Sequence, residues 1–335
     1  MSSDEAHARI RRASHAGSWY SDSGTQLNKS LDSWLQAVSP NPDYGFSSLP
    51  VDDAKAIIAP HAGFSYSAKT AAWAYKCIDP SKFTRVFILG PSHHYHLSGC
   101  ALSAALEYET PIGNLGLDRQ TIDTLHATKQ FEIMSQGEDV DEHSIEMHLP
   151  FVRKVWEKHP VQIVPVLVGS LSHSKETHYG RLLLPYFKDP STFFIISSDF
   201  CHWGLRFRYT RYAPSLQSVH YIKLNYENNP SLNPSTPIHA SIAHLDRRAM
   251  SAISEKGAKD AHGKFSDYIE ETRNTVCGRH PIGVLLGTLA ALERESGRAV
   301  GVRWNRYEQS EKVKTVRESS VSYASAFVKA WKRSD

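Results

Sequence analysis

At 335 residues the chain could form two ordinary domains or one large α/β domain, and no linker divides its chemistry-bearing stretches, so one domain is expected. Hydrophobic residues at 41% and charged residues at 22% fit a globular protein with a sizeable core, and a formal net charge of +3 is too small to imply nucleic acid or a membrane surface. Met1 to Arg12 lacks the apolar core of a signal peptide, and no stretch reaches the length of a membrane span.

Residues 1–13 read as a loose tail. Ser14-His-Ala-Gly-Ser-Trp-Tyr20 then supplies a compact cluster of aromatic and imidazole groups. Leu27, Leu31, Trp34, Leu35 and Val38 fall on one face of a helix that Pro40, Pro42 and Gly45 end. Ala56-Ile-Ile-Ala-Pro60 is a short apolar run that delivers His61, and a helix is expected over Ala68–Cys77. Arg85-Val-Phe-Ile-Leu-Gly90 is a buried strand closed by Gly90-Pro91, and it delivers His93 and His94. A turn at Thr110–Asn114, a helix over Asp118–Thr128 and an amphipathic segment from Asp139 to Val155, kinked or restarted at Pro150, lead to a further apolar run over Val161–Val168.

Thr192-Phe-Phe-Ile-Ile-Ser-Ser198 repeats the strand design and delivers Asp199 and His202. Arg206, Arg208 and Arg211 alternate with Phe207, Tyr209 and Tyr212 in a stripe read as a solvated face or an anion contact. Asn225–Pro237 is expected to be a surface loop, Ile242–Ile253 a helix, and Pro281 the opening turn of an apolar helix through Leu292. Strands around Ala299–Trp304 and Val321–Val328 complete the chain. Alternating strands and helices specify an α/β fold: a three-layer α/β/α domain over residues 14–331.

In open α/β sheets ligands bind beyond the carboxyl ends of the strands. Three such ends here carry imidazole or carboxylate, which gives the 18 histidines their interest. His61 and His93 can face one cleft as metal ligands, with a third drawn from Asp199, His202, His143, Glu146 or Cys277. The N-terminus of the helix after Cys277 would favour its thiolate, the form a metal requires. His143 and His148 are five apart and diverge by roughly 140° on a helix, so they are not a zinc-protease pair. His143 or Glu146 could instead support the cleft from behind. Asp199 and His202 could act as an acid/base pair, the carboxylate orienting the ring. The four cysteines Cys77, Cys100, Cys201 and Cys277 form no C-x-x-C pair and suit reduced thiols in the cytoplasm or nucleus.

Taken together, Ala59-Pro-His-Ala-Gly63, Phe87-Ile-Leu-Gly-Pro-Ser-His-His94, Glu142-His-Ser-Ile-Glu-Met-His-Leu-Pro150, Ser197-Ser-Asp-Phe-Cys-His-Trp-Gly204, Cys277-Gly-Arg-His-Pro-Ile-Gly283, Ser319-Ser-Val-Ser-Tyr-Ala324 and the Ser14–Tyr20 cluster resemble the Memo family, in family order across the chain. The resemblance implies a single mixed sheet between helical layers, similar to the class III extradiol dioxygenases. It implies one iron(II) or copper ion, zinc being compatible with the same donors, held at His61, His93 and Cys277 with Asp199 and His202 beside it. The cleft would then be lined further by His15, Trp19, Tyr66 and His94. Redox or oxygen chemistry on a small molecule is one implied activity, and the thiolate at the third corner sets it apart from ring cleavage. The other is a signalling role in cell motility, through binding of phosphotyrosine-containing peptides from receptor proteins.

Overall fold

The computed structural model describes residues 10–41, 46–226, 232–297 and 299–331. Its strands are β1 (Ile10–Arg11), β2 (Ala54–Ala59), β3 (Arg85–Pro91), β4 (Cys100–Leu102), β5 (Glu107–Tyr108), β6 (Leu115–Leu117), β7 (Phe131–Ile133), β8 (Gln162–Val168), β9 (Thr192–Ser197), β10 (His202–Trp203), β11 (Arg211–Tyr212), β12 (Ile222–Lys223), β13 (Ala299–Gln309) and β14 (Ser320–Trp331). The helices are α1 (Gly24–Gln36), α2 (Phe64–Tyr75), α3 (Arg119–Ala127), α4 (Gln136–Asp141), α5 (His143–Glu146), α6 (Leu149–Val155), α7 (His173–Lys188), α8 (Ile238–Ile253), α9 (Ala258–Thr272) and α10 (Arg279–Ser296).

The apolar runs β8, β3, β9 and β2 form the parallel centre of the main sheet, as strands covered on both faces must. Phe87 and Phe194, paired across β3 and β9, stack with ring centroids 4.7 Å apart. β14 joins β2 antiparallel, and β13 and β10 pair with β14, so the sheet is mixed. Helix α2 packs on β2, β13 and β14 and against α1 and α6, while α10 packs on β3 and β9 and against α7 and α9. These two helical groups are the outer layers of the expected α/β/α architecture. A satellite apolar cluster, including Trp203, Tyr212, Ile242, Leu245 and Val316, lies beside the main core. Among the described residues no helix is long and apolar enough to cross a membrane.

β9 lies between β3 and β2. Its register, with Ser197 opposite Ala59 and Ile196 opposite Leu89, brings three strand ends level. His61, His93 and Asp199 each follow within two residues, so the sheet delivers all three to one rim.

Several sequence expectations need correction. The loose tail expected over residues 1–13 does not hold at its far end: residues 1–9 lie outside the described residues, and Ile10–Arg11 pair with β5, with Arg11 only 2% exposed. Its guanidinium reaches Glu146 Oε2 at 2.7 Å, the Asp139 carbonyl at 2.7 Å and the Glu142 carbonyl at 2.9 Å, so buried acceptors hold this segment down. Truncating one member of a buried pair strands the other, so Arg11→Ala is expected to lower unfolding stability by about 3–5 kcal/mol in a urea titration. The Asn225–Pro237 loop lies partly outside the described residues, at 227–231. Its far end is anchored, because Asn233 bonds Tyr212 and Pro214 and Thr236 is buried. The expected amphipathic segment through Val155 is three short helices, and the charged helix α9 has no counterpart among the expected elements.

Candidate metal centre

His61 leaves β2 almost fully buried, and its backbone N–H donates to Asp199 Oδ1 at 2.9 Å. Its Nδ1 lies 2.6 Å from Ser197 Oγ, whose single hydrogen goes to the Ser144 carbonyl at 2.7 Å. Ser197 Oγ must therefore accept from Nδ1–H, which leaves the Nε2 lone pair free. That nitrogen faces Cys277 Sγ at 3.3 Å. Burial, reinforced by neighbouring imidazoles, holds the ring well below the ordinary histidine range, so it is neutral, as a ligand must be.

The second imidazole is fixed in the same way. Glu142 accepts the His93 backbone N–H at 2.7 Å and Nδ1–H at 2.9 Å, again freeing Nε2. Burial would raise this carboxyl, but His93 and two backbone N–H groups outweigh it and bring it down to about 2. A carboxylate that pins a ligand histidine sets its tautomer and raises its basicity. The sequence singled out Glu146 and His143 for this support and missed Glu142. The available signal was its place immediately before His143, where it caps α5 through Ser144 N–H.

Cys277 precedes α10, with Gly278 at the helix cap. Sγ accepts the Asp199 N–H at 3.2 Å. Gly278 lets the two loops touch, because a Cβ there would lie 2.3 Å from Ser198 Cβ and 2.4 Å from the Ser197 carbonyl oxygen. Gly278→Ala should therefore lower stability by about 1–3 kcal/mol and weaken metal uptake together, as measured by denaturation and by metal titration. The expected helix-terminus effect on the thiol is overruled: burial first, then the Asp199 charge, pushes it well above the ordinary thiol range. Metal binding at this position must displace a proton.

The free donor atoms of His61, His93 and Cys277 lie within 4.8 Å of one another. Imidazole and thiolate donors on one tetrahedral ion sit about 3.5 Å apart, so the observed His61–Cys277 distance already suits a shared ion. The donor set, both tautomers and the convergence all fit a transition metal. His93, Glu142 and His143 also come within 4.8 Å. There His93 Nδ1 and Glu142 Oε1 are already hydrogen-bonded to each other at 2.9 Å.

A cavity of about 570 Å³ opens beside these atoms, lined by Trp19, Tyr66, His143, Asp199, His202 and Tyr323 among others. The expected Asp199–His202 pair does not form. The Asp199 carboxylate turns to the His61 and Ala62 backbone, while His202 Nδ1 lies 2.9 Å from the Phe200 carbonyl and 3.1 Å from that of Thr275. These carbonyls require Nδ1–H and leave His202 Nε2 as an acceptor. Burial pushes Asp199 up to about 7 despite the two N–H groups it accepts.

Of the expected pocket residues, Trp19 and Tyr66 line the cavity, and His15 and His94 do not. His15 is drawn aside because Glu146 accepts both its backbone N–H and Nδ1–H at 2.9 Å. Both rings instead flank His143, with centroids 5.9 and 5.8 Å away. His143 stacks on His93 at 4.3 Å and its Nδ1 lacks a hydrogen-bond partner. Arg206 also lines the cavity, its guanidinium 4.6 Å from the centre of the Phe207 ring, whereas Tyr209 and Tyr212 belong to the satellite core.

Comparison with known proteins adds identity to this geometry. "Protein MEMO1" of Danio rerio is 48% identical over 316 residues, covering 94% of this chain and 95% of that protein. "Protein MEMO1" of Homo sapiens is 46% identical over the same length and coverage. A solved structure of uncharacterized protein JW3007 from Escherichia coli K12 aligns with TM-score 0.47 at 13% identity, over 80% of this chain and 99% of that one. The family model described as "Memo-like protein" matches residues 11–327. The chain therefore belongs to the Memo-like protein family.

Proposed function

We propose that this protein binds one iron or copper ion through His61 Nε2, His93 Nε2 and Cys277 Sγ and carries out redox or oxygen chemistry on a small molecule in the adjoining cavity. The observation that carries the proposal is the convergence of three donor atoms within 4.8 Å, with both imidazole tautomers fixed by separate hydrogen bonds. When bound, such an ion supplies one-electron redox chemistry and a Lewis-acid position. His202 Nε2 accepts a proton from a cavity ligand, and Asp199, held near neutrality by burial, stores or returns one. Trp19 and Tyr66 bound the mouth and restrict what enters. The four free thiols support a cytoplasmic or nuclear setting. Metal analysis of protein prepared without oxygen, wild type against His61→Ala, tests the reading: the variant should be depleted, and equal metal content would contradict it.

A second reading is supported by the rim, where Trp19 is 37% and Tyr66 60% exposed and Arg206 offers a cation. Exposed aromatic and cationic groups suit a phosphotyrosine-type peptide in a signalling adaptor for cell motility. Oxygen uptake with catechols and thiol reductants separates the two readings. No turnover, with peptide binding that survives Cys277→Ser, would favour the adaptor.

A further inference from the structure

Cys277 stands on an irregular segment, 274–277, beside residues 199–202, which lead into β10 and are fastened to β14 through Ser322. Among the described residues no backbone-to-backbone hydrogen bond joins these segments. Their alignment is carried by side chains: His202 N–H to Thr275 Oγ1 at 2.7 Å, Thr275 Oγ1 to the His202 carbonyl at 3.1 Å, His202 Nδ1–H to the Thr275 carbonyl at 3.1 Å, Asp199 N–H to Cys277 Sγ at 3.2 Å, and one buried junction beneath them. That junction is Asp246 on α8, fully buried. Its Oδ1 accepts from Cys201 N–H at 3.2 Å and from Asn274 Nδ2 at 3.1 Å, so a single oxygen grips both segments. Its Oδ2 accepts from Tyr307 on β13 at 2.9 Å, which references the junction to the sheet. Asn274 passes the constraint on, its Oδ1 accepting the Thr275 N–H at 2.8 Å.

A buried carboxylate is costly unless donors surround it, and a position that only filled space would be served by an apolar side chain. The donors come from three separate parts of the chain, two of which bear residues of the metal centre. We infer that Asp246 is a positioning residue for that centre: by tying 274–277 to the sheet-held segment 199–202, it sets where the Cys277 sulfur stands relative to His61, His93 and His202.

The inference rests on the metal-binding reading, and cobalt(II) titration without oxygen separates the two. Asp246→Ala is expected to bind cobalt about 10- to 100-fold more weakly and to lose the thiolate-to-cobalt charge-transfer band, as happens when outer support of a ligand is removed. Asp246→Asn keeps the oxygen that Cys201 and Asn274 require, so it should restore most of the affinity and the band. Asn274→Ala breaks the junction from the other side, should show the same losses, and decides the matter if Asp246→Ala does not fold. Wild-type titrations in Asp246→Ala and Asn274→Ala, with His61→Ala impaired, would overturn the inference alone, as would an Asp246→Asn no better than alanine. Wild-type uptake by His61→Ala would remove the metal centre and the inference with it.

Discussion

Serine in place of Cys277 is expected to lower affinity for copper(I) by more than about 100-fold, a larger loss than removing a residue that merely supports a ligand. Copper(I) prefers a soft thiolate, and an alkoxide or alcohol cannot replace it. Serine is nearly isosteric and keeps an acceptor for the Asp199 N–H, so the fold should survive and the loss can be assigned to the ligand. Glu142→Gln provides the graded counterpart. It leaves His93 in place but removes the charge that fixes its Nδ1–H, so affinity should fall by about 10- to 100-fold. Competition against a copper(I) chelator measures both variants. Equal affinities in wild type and Cys277→Ser would exclude sulfur from the coordination sphere.

Glu146→Gln is expected to make stability less sensitive to acid. The Glu146 carboxylate is buried and accepts from Arg11, His15 and Tyr20. Burial would raise its pKa, but these partners bring it down to about 2 from 4.5. A folded pKa below the unfolded value means stability that is fully present above pH 4.5 and is lost as pH falls through about 2. That gap is worth roughly 3 kcal/mol. Glutamine carries no such titration, so the variant should start less stable at neutral pH and lose less between pH 4.5 and 2. Urea unfolding at pH 7 and pH 3 reads the difference between the two slopes, and identical slopes would remove Glu146 from this role.

The fold and much of the site could be read from the chain because the informative residues are local. Ala56–Pro60, Arg85–Gly90 and Thr192–Ser198 each announce a buried strand by composition and end in imidazole or carboxylate, so strand ends and ligands come together. Partners fixed only by tertiary contact were not legible. Glu142 is chosen over Glu146 as the His93 anchor because α5 begins at His143 and turns Glu142 back toward the loop after β3. The Asp199–His202 pairing does not form because the His202 Nδ1–H is spent on the Phe200 and Thr275 carbonyls while Asp199 Oδ1 accepts the His61 and Ala62 N–H groups. Asp246 falls between Ile242 and Ala249 on the apolar face of its helix, a spacing that signals burial, but its partners Cys201, Asn274 and Tyr307 come from elsewhere in the chain. Arg11, in a polar N-terminal stretch, looked solvated until Glu146 arrived from 135 residues away.

X-ray absorption at the metal edge of protein reconstituted with copper(I) or iron(II) tests the shared site most directly. Two nitrogen neighbours near 2.0 Å and one sulfur near 2.3 Å are expected, by about the distances such ligands adopt, with the sulfur shell absent in Cys277→Ser. A spectrum without sulfur, or one unchanged by that substitution, would contradict it.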